Sequence, residues 1–154
     1  MNTNHTYQRE TVDGLLVEIM PLLMRHYEEI AWRKEQIKFD PDLDRYRKLE
    51  AADFLRIYTA RTDGILVGYA VFIISMHLHY KANKVATNDI FYVEPSMRGA
   101  MVGRRLIGHV ERELKAEGVE VISLHIKTAH NWQKLAEHWG YEQNEVNMKK
   151  WIGE

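Results

Sequence analysis

Cysteine is absent from the 154 residues, which excludes disulfides, thiolate metal sites and a cysteine nucleophile, and fits a reducing, cytoplasmic setting. Charge of one sign is not in excess either. With 21 Lys and Arg against 22 Asp and Glu the formal net charge is −1, so the basic surplus that marks nucleic-acid binders is missing and no nucleic-acid partner is expected. No apolar run reaches membrane-spanning length, and the polar stretch Met1 to Glu10 has neither a signal peptide's apolar core nor a lipidation motif, so no membrane association is expected. Prolines number only three, no Pro-, Ser- or Gly-rich linker divides the chain, and no internal repeat is found. With 45% hydrophobic residues, residues 1–154 read as a single domain around one substantial core.

Hydrophobic periodicity lays out the elements. Leu15, Leu16, Ile19, Leu22, Leu23, His26 and Ile30 mark one face of a helix interrupted or kinked at Pro21. Asp40-Pro41-Asp42 signals a turn and offers an N-cap for a short helix through about Ala51. Strands are expected over Asp53 to Arg61 and Ile65 to His79, joined at Thr62-Asp63-Gly64, whose Asp-Gly pair is a hairpin signal. A third strand, Lys84 to Val93, returns after Tyr80-Lys81-Ala82-Asn83. If these neighbours form a simple hairpin, Ser75, His77 and His79 share a side with Thr87 and Asp89. Leu106, Ile107, Val110 and Leu114 then give a helix its buried stripe, which Gly118 ends. Val119 to Lys127 reads as a strand. Thr128 caps a helix carrying Trp132, Leu135, Ala136 and Trp139, the two tryptophans expected in the core, and a last strand is expected over Val146 to Trp151. This order argues for an α/β (α+β) fold, a mixed and mainly antiparallel sheet with helices on both faces.

The most informative segment runs from Val93 to Ile107, from an apolar strand through a glycine-bearing turn into a helix. Unpaired backbone N–H groups at a helix start sit at the positive end of its dipole and can hold a phosphate or pyrophosphate. Arg98, Arg104 and Arg105 strengthen that field. Together with the order of elements from about Leu15 to Ile152, these residues resemble the GNAT superfamily of acyl-CoA-dependent N-acetyltransferases, and most of all its small single-domain members from tailed phages and bacteria. The family's pyrophosphate loop, R/Q-x-x-G-x-G/A, falls here on Arg98 to Gly103. Arg98 and Gly103 fit, the middle glycine is replaced by Met101, and an additional glycine stands at Gly99. A left-handed backbone at methionine costs about 1 to 2 kcal/mol, so the sharp turn is expected to move to Gly99 and Ala100.

The resemblance implies acetyl-CoA as acyl donor, no metal, and direct attack of a primary amine, on a small molecule or a protein, at the thioester. It places the donor on Arg98, Gly99, Ala100, Met101, Val102, Gly103 and Arg104, with Asn131 and Lys134 near its pantetheine arm. It assigns polarisation of the thioester carbonyl to a backbone N–H within Phe91, Tyr92 and Val93. An alkylamine with an ordinary pKa near ~10.4 must lose a proton before it attacks, and Asp89, paired with His77, is the expected acceptor, with Glu94 as the alternative. His26, Tyr27, Glu28 and His79 are expected to line the acceptor pocket. His77-Leu78-His79 with His125 offers no third metal ligand by spacing. Many family members carry a tyrosine acid four residues before the Gly-aromatic pair, where this chain has Ala136. That substitution and Met101 keep open an inactive CoA-binding or regulatory module, and a homodimer is possible.

Overall fold

A computed structural model describes residues 3–153. The chain opens with a strand that the sequence does not announce. β1 (His5–Glu10) is polar throughout and pairs antiparallel with β2 (Leu55–Thr62), from His5 opposite Thr62 to Glu10 opposite Ile57. Side chains on β2 hold it in place: the Thr59 hydroxyl donates to Glu10 Oε1 at 2.6 Å and Arg61 Nε donates to the same oxygen at 2.9 Å. Arg61 also reaches Glu18 at 2.7 Å, on α1 (Val12–Ile30). Burial opposes ionisation of Glu10, but the hydrogen bonds from Arg61, Thr59 and Gln8 outweigh it and hold the carboxyl below its usual range.

Thr11 caps α1, its hydroxyl accepting from the Gly14 N–H at 3.1 Å. The helix runs unbroken through Pro21 rather than stopping there, because Leu15, Ile19, Leu22 and His26 form a buried stripe while Pro21 lies on the exposed side. Asp42 caps α2 (Leu43–Ala51) by accepting from the Arg45 N–H at 2.9 Å, as the turn signal indicates. The hairpin from β2 to β3 (Ile65–Met76) turns at Asp63 and Gly64 with φ of 49° and 83°, the positive pair that a tight primed turn requires.

β3 pairs antiparallel with β4 (Lys84–Val93), from Gly68 opposite Val93 to Met76 opposite Lys84. It ends three residues before the expected end, and residues 77–83 form a turn closed by His77 N–H donating to Asn83 O at 3.1 Å. Within the ladder Val71 faces Ile90 and Phe72 faces Asn88, so Asp89 is an extra residue, a bulge. Asp89 and Ile90 therefore both turn toward the α1 and α2 face.

β4 leads through a 3-10 turn, Pro95–Ala100, into α3 (Val102–Ala116). Here the expected shift of the sharp turn to Gly99 and Ala100 is not made. Met101 itself is left-handed, at φ 60° and ψ 8°, while Gly99 sits within the 3-10 turn. The chain must reverse immediately before the first helical residue, and a Met101 side chain that is 57% exposed meets no packing conflict there. Leu106, Ile107, Val110 and Leu114 are fully buried on α3, each stabilising by roughly 1.5 to 3 kcal/mol, and Gly118 at φ 82° follows its end.

β5 is shorter than expected, Val121–Ser123, and runs parallel to β4 with Val85 to Thr87 as its partners. The sheet order is β1-β2-β3-β4-β5. One core joins α1 to Ile57, Tyr69, Val71 and Tyr92, and the other joins α3 to Tyr58, Phe72 and Ala86, so helices cover both faces of a mainly antiparallel sheet. α4 (Gln133–His138) is a helix of six residues. The strand expected over Val146 to Trp151 is not formed. Val146 and Met148 are 72% and 86% exposed, so that segment buries no face that would offset the entropy of ordering it. Among the described residues no helix is long and apolar enough to cross a membrane.

Replacing Met101 by glycine removes the left-handed strain at the cost of some unfolded-state entropy, so the variant is expected to gain about 1 kcal/mol. Thermal unfolding checks this through a melting temperature raised by roughly 2 to 4 °C. An unchanged or lower value would mean that the turn stores no strain.

Candidate functional site

Pairing between β4 and β5 stops at Thr87 and Ser123, although β4 continues to Val93. Beyond that point the two strands part, and the cleft between them has an empty volume of about 340 Å³, counting the space open to solvent. One wall is Asn88, Asp89, Ile90 and Phe91 of β4. The other is His125, Lys127, His130 and Trp132, while His26 and Ile30 of α1 line it from the opposite face. The His125 backbone N–H donates to the buried Asn88 side chain, so one hydrogen bond spans the point of divergence.

Strand alternation fixes which backbone groups face this gap. Glu94 N–H donates to Val67 O on β3 at 2.8 Å, so Tyr92 also turns its N–H toward β3, and Phe91 and Val93 turn theirs toward the gap. Farther along lies the start of α3, which has no side-chain cap and no acidic residue in its first turn. Its unpaired N–H groups and dipole favour an anion. Gly103 lies against Phe91, Val93 and Trp139, where a Cβ would meet their atoms at 3.6 to 3.9 Å.

The arginines divide their tasks differently from the expectation. Arg98 does not extend free toward an anion: its Nε donates to Val93 O at 2.9 Å, its Nη2 bonds Glu29 at 2.7 Å, and its guanidinium lies 5.6 Å from the Tyr92 ring centre. Arg98 thus fastens the loop to α1. Arg104, half-buried, reaches Glu111 at 3.3 Å beside the Trp139 ring, and Arg105 is exposed.

On α1 the residues lining the cleft are His26 and Ile30, and Glu29 between them contacts His130 of the far wall. Sequence reasoning named His26 and missed Glu29, whose partners Arg98 and His130 lie far along the chain. Glu29 Oε1 is buried without a hydrogen-bond partner, 3.3 Å from His130 Nδ1. Tyr27 and Glu28, by contrast, turn away: the Tyr27 hydroxyl donates to Ile37 O and Glu28 pairs with Lys34. His26 is buried, its Nδ1 hydrogen-bonded to the Tyr69 hydroxyl at 2.8 Å and its ring stacked on Tyr92 at 4.9 Å between centroids. Burial pushes its pKa down to about 4, so the imidazole is neutral near pH 7.

Asp89 lines the cleft and accepts a hydrogen bond from the Tyr46 hydroxyl of α2, whose pKa is raised by burial and by that carboxylate. The expected pairing of His77 with Asp89 is not made. His77 lies in the turn beyond β3, five residues along the strand from Phe72, which is roughly 17 Å at the usual rise. His79 is in the same turn, its backbone N–H donating to His77 Nδ1, and so is remote from the cleft. Glu94 is engaged by Arg25 and by the Tyr92 hydroxyl at 3.3 Å.

Phe91, Trp132 and Trp139 form an aromatic run with successive centroids 5.0 and 5.8 Å apart. Both tryptophans are half-buried rather than in the core, Trp132 in the cleft lining and Trp139 against Gly103. Ala136 is buried and brings no hydroxyl. The Tyr141 hydroxyl is held by Glu111 at 3.1 Å, and its pKa is raised by burial and that carboxylate. The Asn131 side chain accepts from the Gln133 N–H at 2.9 Å, and Lys134 is exposed. Among the described residues no group of three His, Cys, Asp or Glu is placed to hold a metal ion.

The acetyltransferase (GNAT) family model matches residues 18–141 of the chain. Solved structures share the fold at low identity. One is an aminoglycoside acetyltransferase from an uncultured soil metagenomic sample in complex with sisomicin, with a TM-score of 0.75 at 13% identity over 97% of each chain. Another is a ribosomal-protein-alanine N-acetyltransferase from Brucella melitensis, with a TM-score of 0.73 at 18% identity over 97% of this chain and 100% of that one. A third is a predicted acetyltransferase from Clostridium acetobutylicum with acetyl-CoA, with a TM-score of 0.70 at 13% identity over 97% of each chain. By sequence no curated protein matches.

The buried His26 makes stability depend on pH. Its pKa is about 4 in the folded chain and 6.5 as the ordinary value, so the unfolded chain binds more protons between the two. Stability is therefore complete above about pH 6.5 and falls as pH drops toward about 4, by on the order of 3 kcal/mol. Denaturant titrations across that range check this, and the His26→Gln variant should lose most of the slope. An equal slope in that variant would assign it to the carboxylates.

Proposed function

Because the chain belongs to the GNAT acetyltransferase family, we propose that it transfers an acetyl group from acetyl-CoA to a primary amine, on a small molecule or a protein, as a single cytoplasmic domain. The observation that carries this reading is the continuity of the β4–β5 gap with the uncapped start of α3. A gap lined by backbone donors, ending at a helix N-terminus, suits a slender acyl arm tipped with a polyanion.

The residues divide the work as follows. The N–H groups from Met101 to Arg104, with Gly103 allowing close approach and Arg104 supplying charge, hold the pyrophosphate. Asn131 and Lys134 lie toward the pantetheine side. The Phe91 and Val93 N–H groups face the gap, and one of them donates to the thioester oxygen as it gains negative charge, which favours the transition state over the ground state. Arg98 contributes indirectly, by fixing the Val93 carbonyl and so the strand that presents these donors. Asp89 takes the amine's proton. Its placement on the bulge aims it into the cleft, and the Tyr46 hydroxyl orients it. His26, neutral and too weakly basic to hold a proton near pH 7, shapes the acceptor side with Glu29. The amine's nitrogen forms a bond to the carbonyl carbon as the carbon–sulfur bond breaks. CoA leaves as a thiolate, and a thiol pKa near ~8.5 makes that departure feasible without a dedicated acid.

A second reading, a GNAT-like module that binds CoA without turnover, is favoured by the buried Ala136 and by the engagement of the Tyr141 hydroxyl with Glu111.

Calorimetric titration with acetyl-CoA, beside dephospho-CoA and ATP, tests the assignment directly. Saturable binding selective for acetyl-CoA is expected, and no binding at millimolar ligand would remove it. Thiol release with a panel of primary amines then separates enzyme from binder. In that assay Asp89→Asn is expected to lower turnover at least about tenfold, with acetyl-CoA affinity unchanged. Retained turnover would take Asp89 out of the mechanism.

A further inference from the structure

One amine of the chain already stands in the cleft. Lys127 follows β5 in extended backbone, φ −78° and ψ 138°, two residues after His125, so the two side chains share a side and both line the cleft across from Asp89 and Phe91. Lys127 is exposed at the cleft mouth, and among the described residues no other lysine lines the cleft: Lys84 Nζ donates to Glu117 O, Lys34 pairs with Glu28, and Lys38, Lys81, Lys134 and Lys149 are exposed outside the lining. From this placement we propose that Lys127 is itself an acetylation site, modified within its own chain by the acetyl-CoA that the cleft binds. The proposal rests on the acetyl-transfer reading above and adds a regulatory consequence to it.

The local electrostatics fit a nucleophilic amine. Desolvation is the largest influence on the Lys127 ammonium and lowers its pKa; the charge of Lys149 and a hydrogen bond to it act in the same direction, while Asp89 opposes them. A larger fraction of neutral amine is therefore present near neutral pH than at an ordinary lysine. Other groups face this amine too. His125 and His130 stand on its own wall and His26 of α1 lines the same cleft, while Glu29, engaged by Arg98, contacts His130 behind it.

The reaction balances without a further reagent. The neutral Nζ attacks the thioester carbon, a carbon–nitrogen bond forms and the carbon–sulfur bond breaks. The amine's surplus proton passes to Asp89 or water, and CoA departs as thiolate. The product is an uncharged amide that stays in the cleft. Its acetyl group occupies space that an external amine needs, so self-modification acts as a brake that tightens as acetyl-CoA accumulates without acceptor.

The test is incubation of the full chain with acetyl-CoA and no acceptor, followed by intact mass measurement and peptide mapping. One added acetyl group per chain is expected, mapped to Lys127, forming at least about tenfold faster than at Lys38 or Lys81 and lost when the chain is unfolded in urea. Lys127→Arg should remove the adduct while acetyl-CoA still binds by calorimetry. Lys149→Met should slow the modification near pH 7 and leave it unchanged near pH 10, because it removes a neighbouring charge that lowers the Lys127 pKa. Binding of acetyl-CoA without an adduct at Lys127, or an adduct spread evenly over the exposed lysines, overturns this proposal and leaves the transferase reading standing. Absence of acetyl-CoA binding overturns both.

Discussion

The loss of pairing between β4 and β5 after Thr87 and Ser123 is the constraint on which the rest of this structure depends. An unpaired backbone N–H or C=O withdrawn from water costs about 1 to 3 kcal/mol, so a sheet opens along its length only where something else satisfies those groups. Here the Asn88 side chain bonds the His125 N–H at the fork, Arg98 bonds the Val93 carbonyl, and the N–H groups of Phe91 and Val93 are left facing the gap. The bulge at Asp89 belongs to the same constraint. It inserts one residue where the strands part, and so places a carboxylate in the cleft without disturbing the burial of Asn88 and Tyr92 on either side.

A second consequence is the link between the two halves of the site. Glu29 on α1 holds Arg98, and Arg98 holds Val93, so α1 and β4 are joined by two charge-assisted hydrogen bonds. A cation expected to face an anion is thereby committed to structure. The reversal before α3 is made at an exposed methionine instead of a glycine, and the helix starts without a side-chain cap.

Where sequence signals are local, they read through to the structure. The Asp42 cap, the Asp63-Gly64 turn, the stripe of Leu106, Ile107, Val110 and Leu114, and the stop at Gly118 each rest on contacts within a few residues. The misreadings share the opposite property. β1 carries no alternating apolar pattern and is held by Thr59 and Arg61, about fifty residues away. The pairing of His77 with Asp89 depended on a register that a shorter β3 and the bulge do not provide. Val146, Met148 and Ile152 alternate as a strand would, yet no neighbour covers them.

The sequence by itself determined α1, α2 and α3, the β2–β3 hairpin, the strand-turn-helix from β4 into α3, and the family to which these elements belong, because short-range sterics and hydrophobic periodicity suffice for each. Only the tertiary structure decided that Glu29 holds Arg98 while Glu28 turns away, that Arg98 is a strut, that Asp89 stands apart from His77, and that Lys127 shares the cleft with Asp89. Those outcomes turn on register, on a one-residue bulge and on where two strands separate. A shift of a single residue in pairing redirects every side chain beyond it, and no local signal in the chain records that choice.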